Sequence, residues 1–190
     1  MNVGIVGLGL IGGSMAKSIK ARTAHTVWGV DLDSETMSLA RMCGAIDAPL
    51  TDDNLPQCDL ILIAIRPGAA IEWTRRHAEL IAKSAALVDL CGVKRVVVGG
   101  IAPVAEQYGF AYIGGHPMAG KERGGFTSAT EDLYVGASMI LTPDSLDRGT
   151  GEQPAKSDGS GTNIPQPPTD HARNGQHHRH KPHLPVAIPA

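Results

Sequence analysis

The chain has 190 residues, enough for one ordinary domain with an appendage. Hydrophobic residues make up 42% but aromatics only 4%, so a core must be built from aliphatic side chains. A formal net charge of −2 leaves no electrostatic footprint for nucleic acid or an anionic membrane, and no apolar run approaches the roughly 20 residues that span a bilayer.

Residues 2–6 read as a first strand and 11–20 as a helix, followed by a strand at 26–30 and a helix at 34–42. The near-continuous apolar stretch 59–65 is a strand buried on both faces. A helix is expected over 69–82, a strand over 86–90, and a helix over 93–108 interrupted near Gly99-Gly100 and Pro103. Strands at 110–113 and 138–141 complete the set. Alternating strands and helices over this length predict an α/β fold, a doubly wound, mostly parallel sheet with helices on both faces. Met1 to Ala16 is apolar, but no Lys or Arg precedes Lys17 and glycine is frequent, which argues against a signal peptide. Cys43, Cys58 and Cys91 are odd in number, widely spaced and without a CxxC pair, which suits reduced thiols and a cytoplasmic location.

Composition changes abruptly near Asp144 to Asp147. Residues 147–190 hold seven of the thirteen prolines, five of the eight histidines and no aromatic, and they show no sustained period. Such a segment cannot offset an ordering cost of roughly 1–2 kcal/mol per residue, so it is expected to be disordered. The cluster His177-His178-Arg179-His180-Lys181-Pro182-His183 lacks cysteine or carboxylate partners, so no metal site is assigned. The expected organisation is a nucleotide-binding domain at 1–146 and a disordered tail at 147–190.

The first turn reads Gly7-Leu8-Gly9-Leu10-Ile11-Gly12, a G-x-G-x-x-G that follows a strand and opens a helix. The first glycine permits a tight turn, the second lets the backbone approach a pyrophosphate, and the third allows close helix–strand packing. The helix N-terminus then offers free N–H groups and a favourable dipole to phosphates. Asp31 ends the second strand 24 residues past Gly7, where it can accept hydrogen bonds from an adenosine ribose. Asp33 adds negative charge where NADP would carry its 2′-phosphate, and no arginine follows closely, so NAD is favoured over NADP. This combination is a Rossmann-type dinucleotide site. Arg66, in the loop after the strand expected at 59–65, either approaches the cofactor or substrate or serves a surface role.

The segment Gly114-Gly115-His116-Pro117-Met118-Ala119-Gly120-Lys121-Glu122 follows an apolar run and reads as a loop at a strand's end. It gathers a histidine, a glutamate and a lysine between glycines that let a backbone come close to a ligand. Histidine is the side chain best suited to moving a proton near neutral pH.

Three segments carry a resemblance to the prephenate/arogenate dehydrogenase family: residues 6–14 around the glycine fingerprint, Val88-Asp89-Leu90-Cys91-Gly92-Val93-Lys94, and Gly115-His116-Pro117-Met118-Ala119-Gly120-Lys121-Glu122. The last is the most specific, and the resemblance covers about residues 1–143. It implies NAD-dependent oxidation of the ring hydroxyl of prephenate or arogenate, with loss of the ring carboxylate, in tyrosine biosynthesis. It further implies His116 as the acceptor of the hydroxyl proton and Glu122 as a group ordering the site or gating entry. Lys94 would place charge near cofactor or substrate, or stand solvated at a helix start. Many relatives carry a serine where this chain has Gly92, so an orienting bond to the histidine must come from elsewhere. Cys91 is read as a small buried residue, because hydride transfer needs no nucleophile. The family continues into a helical domain that makes a homodimer and supplies cations for the substrate carboxylates. In its place this chain carries the tail, which we expect to be a frameshifted or otherwise aberrant reading. The alternative to an active dehydrogenase is a fragment that holds NAD without turnover.

Overall fold

The computed structural model describes residues 1–142. The tail at 147–190 and its histidine cluster lie outside the described residues.

Strands β1 (Asn2–Val6), β2 (Thr26–Val30), β3 (Ala48–Pro49), β4 (Leu60–Ile63), β5 (Ala86–Asp89), β6 (Ala111–Pro117) and β7 (Met139–Leu141) form one sheet in the order β3-β2-β1-β4-β5-β6-β7. All neighbours run parallel except β7, which returns antiparallel to β6. The chain order reverses between β1 and β4, so both strands end at the crevice where such sheets bind ligands. Helices α1 (Leu10–Arg22), α2 (Ser34–Met42), α3 (Pro67–His77) and α4 (Lys94–Tyr108) connect the strands.

The alternation within β4 shows why the sheet is covered twice. Ile61 and Ile63 face one hydrophobic cluster with Ala70 of α3 and Val97 and Ile101 of α4. Leu62 faces the other, with Ala16 of α1 and Ala40 of α2. Ile5, Ile61, Ile63 and Leu87 are fully buried. Each such side chain contributes about 1.5–3 kcal/mol relative to exposure. The core is mostly aliphatic, as the shortage of aromatics requires, with Phe110, Tyr112 and Phe126 as its buried aromatics.

Several boundaries differ from expectation for physical reasons. The helix expected to break near Gly99-Gly100 and Pro103 runs unbroken from Lys94 to Tyr108. A Cβ at Gly100 would come within 2.5 Å of Ile71 Cδ1, so the glycine brings α4 hard against α3, and tertiary packing outweighs weak helix propensity. The helix expected over 69–82 starts earlier, with Pro67 in its first turn, and gives way at Ala78–Leu80 to a 3-10 turn. The two-residue β3 had no legible alternation. The largest correction concerns Gly114 to Pro117, expected as a loop. These residues continue β6, because β7 pairs with them in the register Gly115↔Leu141, His116↔Ile140 and Pro117↔Met139.

Candidate functional site

The crevice begins at the glycine turn. Gly7 has φ +89°, and a Cβ there would approach Ile65 Cγ2 to 2.4 Å. A Cβ on Gly12 would stand 1.8 Å from the Gly7 carbonyl oxygen, whereas one on Gly9 would meet nothing within 4 Å. Gly7 and Gly12 are therefore demanded by the fold, and Gly9 is demanded only by whatever approaches from outside. Gly9 caps α1 without a side-chain bond, and the first turn holds no acid, so its N–H groups can receive an anion.

Asp31 ties the turn to β2. Its carboxylate accepts from Leu8 N at 2.7 Å and from Asp33 N at 3.0 Å. Each oxygen keeps a lone pair for a further donor such as a ribose hydroxyl. Leu8, by contrast, is fully buried and its N–H is taken by Asp31. Its part in the site is to shape the turn. Asp33 does something the sequence did not disclose: it caps α2, accepting from Glu35 N, Thr36 N and the Thr36 hydroxyl. The Thr36 hydroxyl first, then the two N–H groups, hold its carboxyl below the ordinary value and keep it charged.

A cleft of about 960 Å³ runs along this end of the sheet and is lined by Gly7, Gly9, Ile11, Asp31, Arg66 and Gly92, among others. That volume lies at the upper end for small-molecule sites. The predicted Gly7, Gly9, Ile11, Asp31 and Arg66 thus share one cavity; Leu8, Leu10 and Gly12 flank it. Trp73 and Arg76 of α3 line it too, and sequence reasoning missed both. Their only signal was an exposed helix face following Arg66. Cys91 also lines the cleft, but burial first and the nearby Asp89 charge second push its thiol up to about 11. It donates to the Ile65 carbonyl at 3.3 Å and stays protonated at neutral pH, as a small buried residue should.

A Cβ on Gly92, which lines the cleft, would lie 3.5 Å from His116 Cε1 and 3.9 Å from Nδ1, so the cleft wall adjoins the imidazole. The ring is half-buried, and among the described residues nothing hydrogen-bonds its buried Nδ1. Lys94 is not a solvated lysine. Its ammonium pairs with Asp89, which is fully buried, and also donates to the Gly115 carbonyl. Asp89 additionally accepts from Cys91 N at 3.0 Å and from the Tyr112 hydroxyl at 2.7 Å. Burial, followed by the bond to Asp89 and its charge, drives the Tyr112 phenol upward, so it remains a donor. Glu122 is exposed beyond β6. No hydrogen bond or ion pair joins it to His116.

The segment after His116 folds back on α1. Lys17 donates to the Ala129 carbonyl at 2.7 Å with its ammonium 4.4 Å from the Phe126 ring centroid. Thr130 N donates to Ser14 Oγ at 3.0 Å, and the Tyr134 hydroxyl donates to the Ile11 carbonyl at 2.6 Å. The glycine-turn helix and the stretch following the histidine are thereby one packed body.

Comparison with known proteins agrees with this arrangement. The sequence family described as prephenate dehydrogenase, nucleotide-binding domain, matches residues 15–152. The prephenate dehydrogenase of Bacillus subtilis is 32% identical over 147 residues, covering 73% of this chain and 38% of that protein. Among solved structures, prephenate dehydrogenase from A. aeolicus in complex with hydroxyphenyl propionate and NAD+ superposes with a TM-score of 0.68 at 28% identity, covering 75% of this chain and 50% of that one. Synechocystis arogenate dehydrogenase gives a TM-score of 0.67 at 29% identity, covering 77% and 53%. The chain spans about two fifths of the length of the Lactococcus lactis and Bacillus subtilis prephenate dehydrogenases it matches.

Proposed function

Because the chain belongs to the family of prephenate dehydrogenase nucleotide-binding domains, we propose that it binds NAD and serves the oxidative decarboxylation of prephenate or arogenate. The observation that carries this reading is the adjacency of Gly92, which lines the cleft beside the glycine turn, to the His116 ring. A dehydrogenase of this kind needs a cofactor site and a proton acceptor side by side. The substrate hydroxyl gives up a proton as its carbon gives up hydride, and the ring carboxylate leaves as carbon dioxide. NAD, when bound, supplies the hydride acceptor.

The N–H groups opening α1 at Leu10, Ile11 and Gly12 would hold the pyrophosphate, with Gly9 leaving room for it. Asp31 would accept from the adenosine ribose, and Arg66 would line the same cavity. The acidic Asp31 and Asp33 favour NAD over NADP. His116 would accept the hydroxyl proton on its ring, and Glu122 would order the entrance.

An NAD titration followed by Trp28 or Trp73 fluorescence, then NADH formation on adding prephenate, tests the reading. We expect saturable binding, and turnover that falls about 10²–10⁴-fold in His116→Asn. Absence of NAD binding would sink it. A second reading, NAD binding without turnover, is favoured by one observation: Lys94, the cation beside His116, is already paired with Asp89. NAD binding with no NADH formed from prephenate or arogenate would support that alternative.

A further inference from the structure

We infer that Lys94, Asp89 and Tyr112 form a positioning clamp that sets His116 against the nucleotide cleft, and that Lys94 is not a substrate-facing cation. This rests on the reading of His116 as the proton acceptor and goes beyond it, since it assigns how the histidine is held.

The clamp answers a defect in the sheet. β5 ends at Asp89, opposite Gly114 of β6. β6 runs on to Pro117 without a β5 partner, and His116 lies in that overhang. The Gly115 carbonyl, immediately before His116, finds its donor in the Lys94 ammonium. Lys94 opens α4, and the same ammonium pairs with Asp89. Asp89 in turn binds Cys91 N in the turn leading to Gly92, and Tyr112 on β6. One carboxylate and one ammonium therefore lock together the end of β5, the start of α4 and the overhanging part of β6. These are the segments that carry Gly92 and His116.

Charge accounting excludes a second duty for the lysine. Asp89 is fully buried and Lys94 is 19% exposed. Moving the ammonium toward a substrate carboxylate would leave Asp89 as an uncompensated buried anion. The interactions made by Asp89 and Lys94 also explain the spacing of Asp89-Leu90-Cys91-Gly92-Val93-Lys94: four intervening residues bring the chain back so that the lysine meets the aspartate.

The test compares the full chain with Lys94→Met, Asp89→Asn and the double variant, which removes both charges and so avoids stranding either one. The readouts are NAD affinity by tryptophan fluorescence, the His116 Cε1–H signal by NMR (assigned by its loss in His116→Gln), and prephenate-dependent NADH formation. In the double variant and in each single variant that folds, we expect NAD affinity within about twofold of the parent and a displaced or broadened His116 signal. We also expect kcat to fall about tenfold or more with KM changed less than about twofold, as misplacement of a reacting group does. An unmoved His116 signal in the double variant overturns the clamp. So does a large rise in KM in Lys94→Met that Asp89→Asn does not share, which is the signature of a lysine on the substrate. If the parent shows no turnover, the proposed reaction fails for this chain, while the NMR signal still decides the clamp.

Discussion

At the scale of single residues, the site turns on one absent side chain. Gly92 leaves His116 Nδ1 buried and without a hydrogen-bond partner among the described residues, and a Cβ at that position fits in ordinary contact at 3.5 Å from Cε1. Gly92→Ser should therefore fold normally and let its hydroxyl reach Nδ1. If one neutral hydrogen bond of about 1 kcal/mol is gained in the productive geometry, turnover rises about fivefold. The measurements are kcat for NADH formation and the nitrogen NMR shift of His116 Nδ1; an unchanged shift would show that the hydroxyl does not reach the ring. The histidine itself was legible in the sequence because glycines and a proline set it apart. Asp89 and Tyr112 were not, for their meeting depends on strand register across 23 residues. Lys94 was legible as a charge near the site but not as a paired one, since only the fold reveals that its partner is buried.

At the scale of elements, the glycine turn separates folding from binding. The Gly12 Cβ would collide with the Gly7 carbonyl, so Gly12→Ala should lower Tm and NAD affinity together. The Gly9 Cβ meets only open space, so Gly9→Ala should leave Tm within a few degrees. Its methyl group would stand where phosphate must approach, and NAD affinity should fall about tenfold or more. Equal effects on Tm and affinity in both variants would remove the argument for Gly9. Helix α2 offers a pH test. The Asp33 carboxyl is depressed in the folded state, so its capping contribution is complete above the ordinary aspartate value of 3.8 and is lost as pH falls through the lower folded value. The Tm gap between the parent and Asp33→Ala should thus be constant from about pH 7 to pH 5 and close in stronger acid. A gap that does not narrow as pH falls below the ordinary aspartate value would show that the carboxylate charge is not what caps the helix. β1, β2 and α2 were legible to the residue because their patterns are locally complete. The course of β6 was not, because what makes Gly114 to Pro117 a strand is β7, arriving from more than twenty residues further on.

At the scale of the whole molecule, the strand order and both hydrophobic clusters belong to residues within the described 142. The alternation of strand and helix made that architecture legible, and the glycine fingerprint made its ligand end legible. Legibility failed where function depends on one part of the chain covering another. Phe126, Ala129, Thr130 and Tyr134 pack on α1 through contacts spanning more than a hundred residues, and no local pattern announces them. These contacts set how far the chain can be shortened before the site is lost. The cleft, the covering of α1 and the β6–β7 pairing all lie before residue 143, and the family match ends at 152. A chain ending at Glu152 should therefore unfold cooperatively, with a Tm within a few degrees of the full chain, and bind NAD with the same affinity within about twofold. A chain ending at Ser128 should do neither: Ala129, Thr130 and Tyr134 would be gone from α1, and β6 would lose β7 along the edge that carries His116. Calorimetry and fluorescence titration of the two truncated chains decide the matter. Equal NAD affinity in both would mean that the glycine turn works without its cover and that the fold, rather than the contacts around α1, prepares the cofactor site.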